Sequence, residues 1–296
     1  MLAALYERKI VADMFVGTSI GALNAAFAAS RPQTPATVEE LARAWRGLRR
    51  EDVFPVSVRT LVGGLSGQRD HLVSDRALRR KVRRYIQFDD LSEAPVPVHA
   101  VAFDVIEGCE VLLSQGPALD AIAAAAALPG VFPPVPVAGR RLVDGSVVNN
   151  TPISHAVALG AERVYVLPAQ ERWHPLRPAP RSALDSAIHA LGVLVDGRLR
   201  ADLARYASEV ELIVLPAPNS LEVQPTDFDH SDLLIGEATV ASRAVLGTLT
   251  PGSRRLRLAG DGEAAGRAAQ SHGAPARLDS HANMCSYDRS PVETGG

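Results

Sequence analysis

Gly17-Thr18-Ser19-Ile20-Gly21 constrains this chain more than any other stretch. The Gly-x-Ser-x-Gly spacing marks a serine held on a sharp turn between a strand and a helix. The flanks fit that reading. Met14-Phe15-Val16 is apolar and strand-like, and Ala22 to Ala29 is rich in strong helix formers. At such a turn the glycines let the chain tighten, and the Ser19 hydroxyl projects at the N-terminus of the helix. Backbone N–H groups there, that of Ile20 first, can face a developing oxyanion. Small-residue turns are common between strands and helices, so the pattern alone leaves a merely structural turn open.

A second motif answers the first. Arg141-Leu142-Val143-Asp144-Gly145-Ser146 puts a carboxylate at the end of a short strand, followed at once by glycine. A lone Asp-Gly is a turn. Paired with Ser19, the strand-end carboxylate supplies the base of a Ser-Asp dyad. Asn149-Asn150-Thr151-Pro152 then opens a helix, with Thr151 as its cap, Pro152 at its first position and Gly160 at its end. His155 lies inside that helix. It could complete a triad, but an ordinary helical histidine is the better reading.

Together the motifs resemble the patatin-like phospholipase family, over most of Met1 to about Leu249. Leu5, Ile10 and Asp13 through Ala26 follow the family's nucleophile block. Leu128-Pro129-Gly130-Val131-Phe132-Pro133-Pro134-Val135, then Leu142-Val143-Asp144-Gly145, matches its second block. Val148-Asn149-Asn150-Thr151-Pro152, Ala156 and Leu159-Gly160-Ala161 continue it. The resemblance implies a three-layer α/β fold with a central, mostly parallel sheet. It implies hydrolysis of lipid acyl esters, of phospholipase A, lysophospholipase or esterase type, by catalytic Ser19 and Asp144 without histidine, metal or cofactor. A patatin-like protein that binds lipid or a partner without turnover is the alternative. Ser146 departs from the family's Asp-Gly-Gly or Asp-Gly-Ala, and its small size predicts tolerance.

The resemblance also implies a strand and a glycine-rich loop upstream of the nucleophile, the loop giving further oxyanion donors. Only the short helix Leu2 to Arg8 precedes Ser19 here. An ordinary α/β-hydrolase carries several strands at that place. The chain therefore reads as starting inside the family's first helix, through a late start site or a partial gene. On that reading Ile20 supplies the one oxyanion donor present, and the Met14 to Val16 strand keeps an unpaired edge.

Composition narrows the remainder. The 296 residues are 47% hydrophobic and 22% charged, with net charge −2, which suits a core-forming enzyme and gives no reason to expect nucleic acid. Cys109 and Cys285 are too few for a disulfide framework and lack metal-site spacing. Lys9 and Lys81 are the lysines, and all other basic residues are arginine, a skew that with abundant alanine suggests a GC-rich bacterial genome. Met1 to Glu7 lacks a basic leader. Ile10 to Ala29 is apolar, but its polar residues and glycines suit a buried strand and helix better than a membrane span. The expected location is cytoplasmic, with peripheral membrane contact.

Strands are predicted over Val98 to Val105, Val111 to Ser114, Val164 to Leu167 and Val210 to Leu215. Helices are predicted over Asp75 to Ile86, Ala118 to Leu128, Ser182 to Ala207 and Ser231 to Leu246. Asp75 to Ile86 is strongly basic. It could touch anionic headgroups, though a solvated face is the simpler account. Gly63-Gly64-x2-Gly67 lacks the ending of a phosphate loop and reads as a connection. Residues 1–250 read as the acyl hydrolase domain, and 251–296 as a disordered tail.

Overall fold

A computed structural model describes residues 1–55, 70–169, 183–218, 228–249 and 284–285. The glycine-rich connection at 63–67 lies outside them, as does the 251–296 tail apart from residues 284–285. The first half of the chain forms α1 (Leu2–Glu7), β1 (Phe15–Thr18), α2 (Ile20–Ala29), α3 (Pro35–Arg46), α4 (Arg50–Val53), α5 (Arg76–Tyr85), β2 (Val98–Asp104) and β3 (Cys109–Leu113). The second half forms α6 (Ala118–Ala125), β4 (Val135–Val137), β5 (Arg140–Asp144), α7 (Ser146–Asn149), α8 (Ile153–Ala158), β6 (Arg163–Val166), α9 (Ala183–Tyr206), β7 (Glu211–Val214), α10 (Ser231–Gly247) and β8 (Met284–Cys285). No helix among the described residues is long and apolar enough to cross a membrane.

The chain divides into two compact units. The unit that holds both motifs is Met14–Ser30, Phe54–Val148 and Ser280–Gly296. Its sheet has the order β4-β5-β2-β3-β8, with β1 also paired to β2. This sheet is mixed rather than mostly parallel. β1–β2 and β3–β8 are parallel, while β2–β3, β2–β5 and β4–β5 are antiparallel. Short hairpin turns account for β2–β3 and β4–β5, since a loop of two to four residues joins antiparallel strands. Ala138 and Gly139 both take positive φ between β4 and β5, and Gly108 does so between β2 and β3.

β2 is the organising strand. Its far side is occupied by β3 from Ala100 to Asp104. Its near side is shared. β1 runs parallel along it from Val98 and ends with Thr18 opposite Val101. β5 comes from the other direction and ends with Asp144 opposite Ala102. The two strands meet head-on at neighbouring residues of β2, where one residue of strand rises only about 3.4 Å. Neither can continue, so both must leave the sheet there. Among the described residues β2 is the one ladder partner of β1.

Two alanine-rich helices cover this junction. α2 packs on β1 and β2, and α6 on β2, β4 and β5. Ala22, Ala25, Ala26, Ala28 and Ala29 of α2 are buried, as are Ala118, Ala121, Ala123, Ala124 and Ala125 of α6. Methyl side chains let both helix backbones approach the strands closely. α6 stops at Ala125, three residues short of the expected end, and the carbonyls at and just past its end turn towards the junction.

The other unit is Met1–Asp13, Arg31–Val53 and Asn149–Asp279. Its parallel pair β6–β7 is covered on both faces. Leu212 and Val214 pack with Ile153, Leu199, Leu203 and Tyr206, whereas Ile213 and Leu215 pack with Leu5, Tyr6 and Leu246. That alternation follows from the two-residue period of a strand between two helical layers. α8 starts at Ile153 with Pro152 as its cap residue and no side-chain cap bond, one place later than the Thr151 cap predicted. The break falls there because Ser146–Asn149 already forms its own short helix.

The glycines at the junction are unequal. A Cβ on Gly17 would lie 2.5 Å from the Gly21 backbone, and one on Gly145 would lie 2.6 Å from the Val101 carbonyl oxygen. A Cβ on Gly21 meets nothing within 4 Å. Gly17→Ala and Gly145→Ala should each cost at least about 2–3 kcal/mol in urea unfolding, through backbone overlap that no rotamer relieves. Gly21→Ala, at the start of a helix, should be neutral or stabilising by up to about 1 kcal/mol. Equal losses at all three positions would contradict this packing.

Candidate active site

Ser19 sits in the one-residue gap between β1 and α2. Its φ of 55° and ψ of −129° lie where side chains other than glycine are rarely found. Strain of this kind costs on the order of 1–3 kcal/mol and persists only when neighbours over-determine it. Here they do. The Ser19 N–H donates to the Ala125 carbonyl at 2.9 Å, and the Ser19 carbonyl accepts from the N–H groups of Ala22 and Leu23. The Gly17–Gly21 contact closes the turn. Ser19 stays partly exposed, and Ile20 behind it is exposed. The Ile20 and Gly21 N–H groups belong to the first turn of α2, where a helix offers them no internal acceptor.

Asp144 is wholly buried. Its N–H donates to the Ala127 carbonyl at 2.9 Å. The carbonyls at and just past the end of α6, which a helix cannot satisfy itself, thus anchor the ends of both converging strands. The Asp144 Oδ1 accepts the Ser146 N–H at 2.8 Å. Oδ2 is buried and has no partner within ordinary hydrogen-bond geometry. Burial pushes the carboxyl up from 3.8 to about 6, against the Ser19 hydroxyl and the Ser146 N–H and hydroxyl, which pull it down. A carboxylate in this position is a stronger base than one in water and still ionised at neutral pH.

The structure therefore brings Ser19, Asp144 and Ser146 together, within the frame of Gly17, Thr18, Ile20, Gly21 and Gly145. Two contributors, Ala125 and Ala127, were not visible as site residues in the sequence, and the role of Ser146 within the acidic motif was not visible either. Ala125 and Ala127 act through backbone carbonyls, so their side chains carry no signal. Ser146 was read only as a small residue, yet its hydroxyl and N–H both act on Asp144. His155 is fully buried on α8, in the other unit, and it is not among the groups that shift Asp144. Among the described residues no group of three or more His, Cys, Asp or Glu could hold a metal ion.

Comparison with known proteins agrees with this architecture. The model of the family described as "Patatin-like phospholipase" matches residues 1–157. An uncharacterised NTE family protein of Mycobacterium tuberculosis is 27% identical over 268 residues, covering 82% of this chain and 42% of that protein. A second uncharacterised NTE family protein of that species is 36% identical over 72 residues, covering 24% of this chain and 20% of that protein. Patatin-like phospholipase domain-containing protein 6 of Mus musculus is 26% identical over 169 residues, 56% of this chain and 12% of that protein. The chain thus spans less than half the length of these relatives. The α/β architecture, with helices on a mixed and parallel sheet, is that of the three-layer patatin-like fold. With more than half its residues inside the family model, the chain belongs to the patatin-like phospholipase family.

Proposed function

We propose that the protein is a serine acyl hydrolase that cleaves carboxylic ester bonds of lipids through a Ser19–Asp144 dyad. The observation that carries this reading is the head-on meeting of β1 and β5, with a strained, accessible serine on one strand end and a buried, partly unsatisfied carboxylate on the other. Family membership supports the lipid ester as substrate class. Asp144 takes the proton of Ser19 Oγ as the oxygen attacks the ester carbonyl. The carbonyl π electrons move onto oxygen, and the Ile20 N–H at the start of α2 stabilises that oxyanion. Collapse breaks the ester C–O bond, and the leaving alkoxide takes the proton from Asp144. Asp144 then accepts a proton from water, which attacks the acyl-serine, releasing the acid and restoring Ser19. No metal or organic cofactor is required by these steps.

Ser19→Ala and Asp144→Asn should each lower kcat/KM on a soluble short-chain ester by about 1000-fold or more, because the two groups act as a unit. His155→Gln, compared per folded molecule, should keep most of the activity. A parent protein with no serine-dependent turnover would instead favour the non-catalytic, lipid-binding alternative.

The carboxyl also predicts two pH responses of opposite sense. Activity needs the ionised form, so kcat/KM should fall as pH drops through about 6. Stability should move the other way. Between 3.8 and about 6 the folded state holds a proton that the unfolded chain has lost, so stability falls as pH rises through this window. The shift corresponds to about 3 kcal/mol of burial cost above it. Asp144→Asn should therefore be inactive yet more stable than the parent at pH 8, by about 2–3 kcal/mol, and should lose this pH dependence. Urea unfolding at pH 5 and pH 8 checks it. An Asp144→Asn variant less stable than the parent at pH 8 would contradict the buried, ionised carboxylate.

A further inference from the structure

α5 carries six basic residues among ten and no acidic one. Ala77, Leu78 and Val82 are buried and fix which side faces the protein. Arg76, Arg79, Arg80 and Arg83 fall at i, i+3, i+4 and i+7, a single face. With Leu119 of α6 they line a recess of about 290 Å³. Among the described residues, Arg79 alone is neutralised there. Its guanidinium lies 2.6 Å from Asp75 and 2.5 Å from Asp120. Arg76, Arg80 and Arg83 are exposed, and none has a carboxylate partner among the described residues. Like charges four residues apart oppose the helix they sit on, so an anion that bridges them would relieve a standing repulsion.

We propose that this arginine face docks the protein on an anionic lipid bilayer. It deepens the lipid-ester reading, on which it rests, by naming the surface at which the dyad meets its substrate. Guanidinium forks match phosphate oxygens in pairs. The chain as a whole is slightly negative, so attraction to an anionic surface must come from a local face. The location suits the chemistry. Asp120, which holds Arg79, and Ala125, whose carbonyl holds Ser19, lie five residues apart on α6, about 8 Å of helix rise. α5 packs on α6, the helix whose last carbonyl holds the serine turn.

The test uses full-length Ser19→Ala protein, which leaves the lipid intact, sedimented with phosphatidylcholine vesicles and with vesicles that also contain phosphatidylglycerol. Binding should require phosphatidylglycerol and weaken as salt rises. The triple variant Arg76→Gln/Arg80→Gln/Arg83→Gln should lose about 100-fold in partitioning, and Arg80→Gln alone about 5-fold, with unchanged melting. The single variant serves if the triple one does not fold. Equal binding by parent and variants, or equal binding to neutral vesicles, overturns the proposal. So does release by inorganic phosphate but not by sodium chloride of equal ionic strength, which would mark a small-anion pocket instead. Hydrolysis plays no part in the readout, so failure here leaves the dyad reading standing, and an inactive dyad leaves this face standing.

Discussion

Two strands converge head-on along one side of β2, and the rest of the site depends on that collision. Thr18 opposite Val101 and Asp144 opposite Ala102 leave no room for either chain to go on. Each must turn out of the sheet within one residue. β1 does so through Ser19 at positive φ, with Gly17 against Gly21. β5 does so through Gly145, pressed onto the Val101 carbonyl. Gly17 and Gly145 are thus consequences of one steric constraint, and Gly21 is not. The carbonyls of Ala125 and Ala127 fix both ends to one helix, so the spacing of serine and carboxylate does not rest on flexible loops.

The same constraint explains the electrostatics. A strand end buried beneath α2 and α6 is a poor place for a carboxylate, and burial is the largest influence on Asp144. Ser146 satisfies one oxygen and leaves the other without a full partner. A buried charge held this way weakens the fold at neutral pH. In exchange, a carboxyl near pKa 6 matches the pH at which it would have to accept a proton. Strain at Ser19 and desolvation at Asp144 fall at the two strand ends that meet on β2, as expected where function overrides local preference.

Much of this was legible in the sequence because the signals were local. The serine turn, the Asp144 strand end, β2, β6, β7, α9 and α10 fall within a residue or two of where periodicity and turn residues put them. What was not legible came from tertiary packing. β4 and β5 pair antiparallel through Ala138, which takes positive φ beside Gly139, a turn that no Asn-Gly or Asp-Gly pair announced. β4 is short and contains Pro136, so it carried no strand pattern. α6 looked like a longer helix, since nothing local says that Ala125 and Ala127 must give their carbonyls to Ser19 and Asp144. The two glycines of Gly-x-Ser-x-Gly look equivalent in sequence, and only the packing separates them.

The central claim is that this junction makes Ser19 a nucleophile. A fluorophosphonate, which phosphonylates activated serine hydroxyls, followed by peptide mass spectrometry tests it most directly. The account predicts a single adduct per chain, on the peptide that contains Ser19, and none on the Ser19→Ala protein. An unmodified folded chain, or an adduct on another serine with Ser19 untouched, would contradict it.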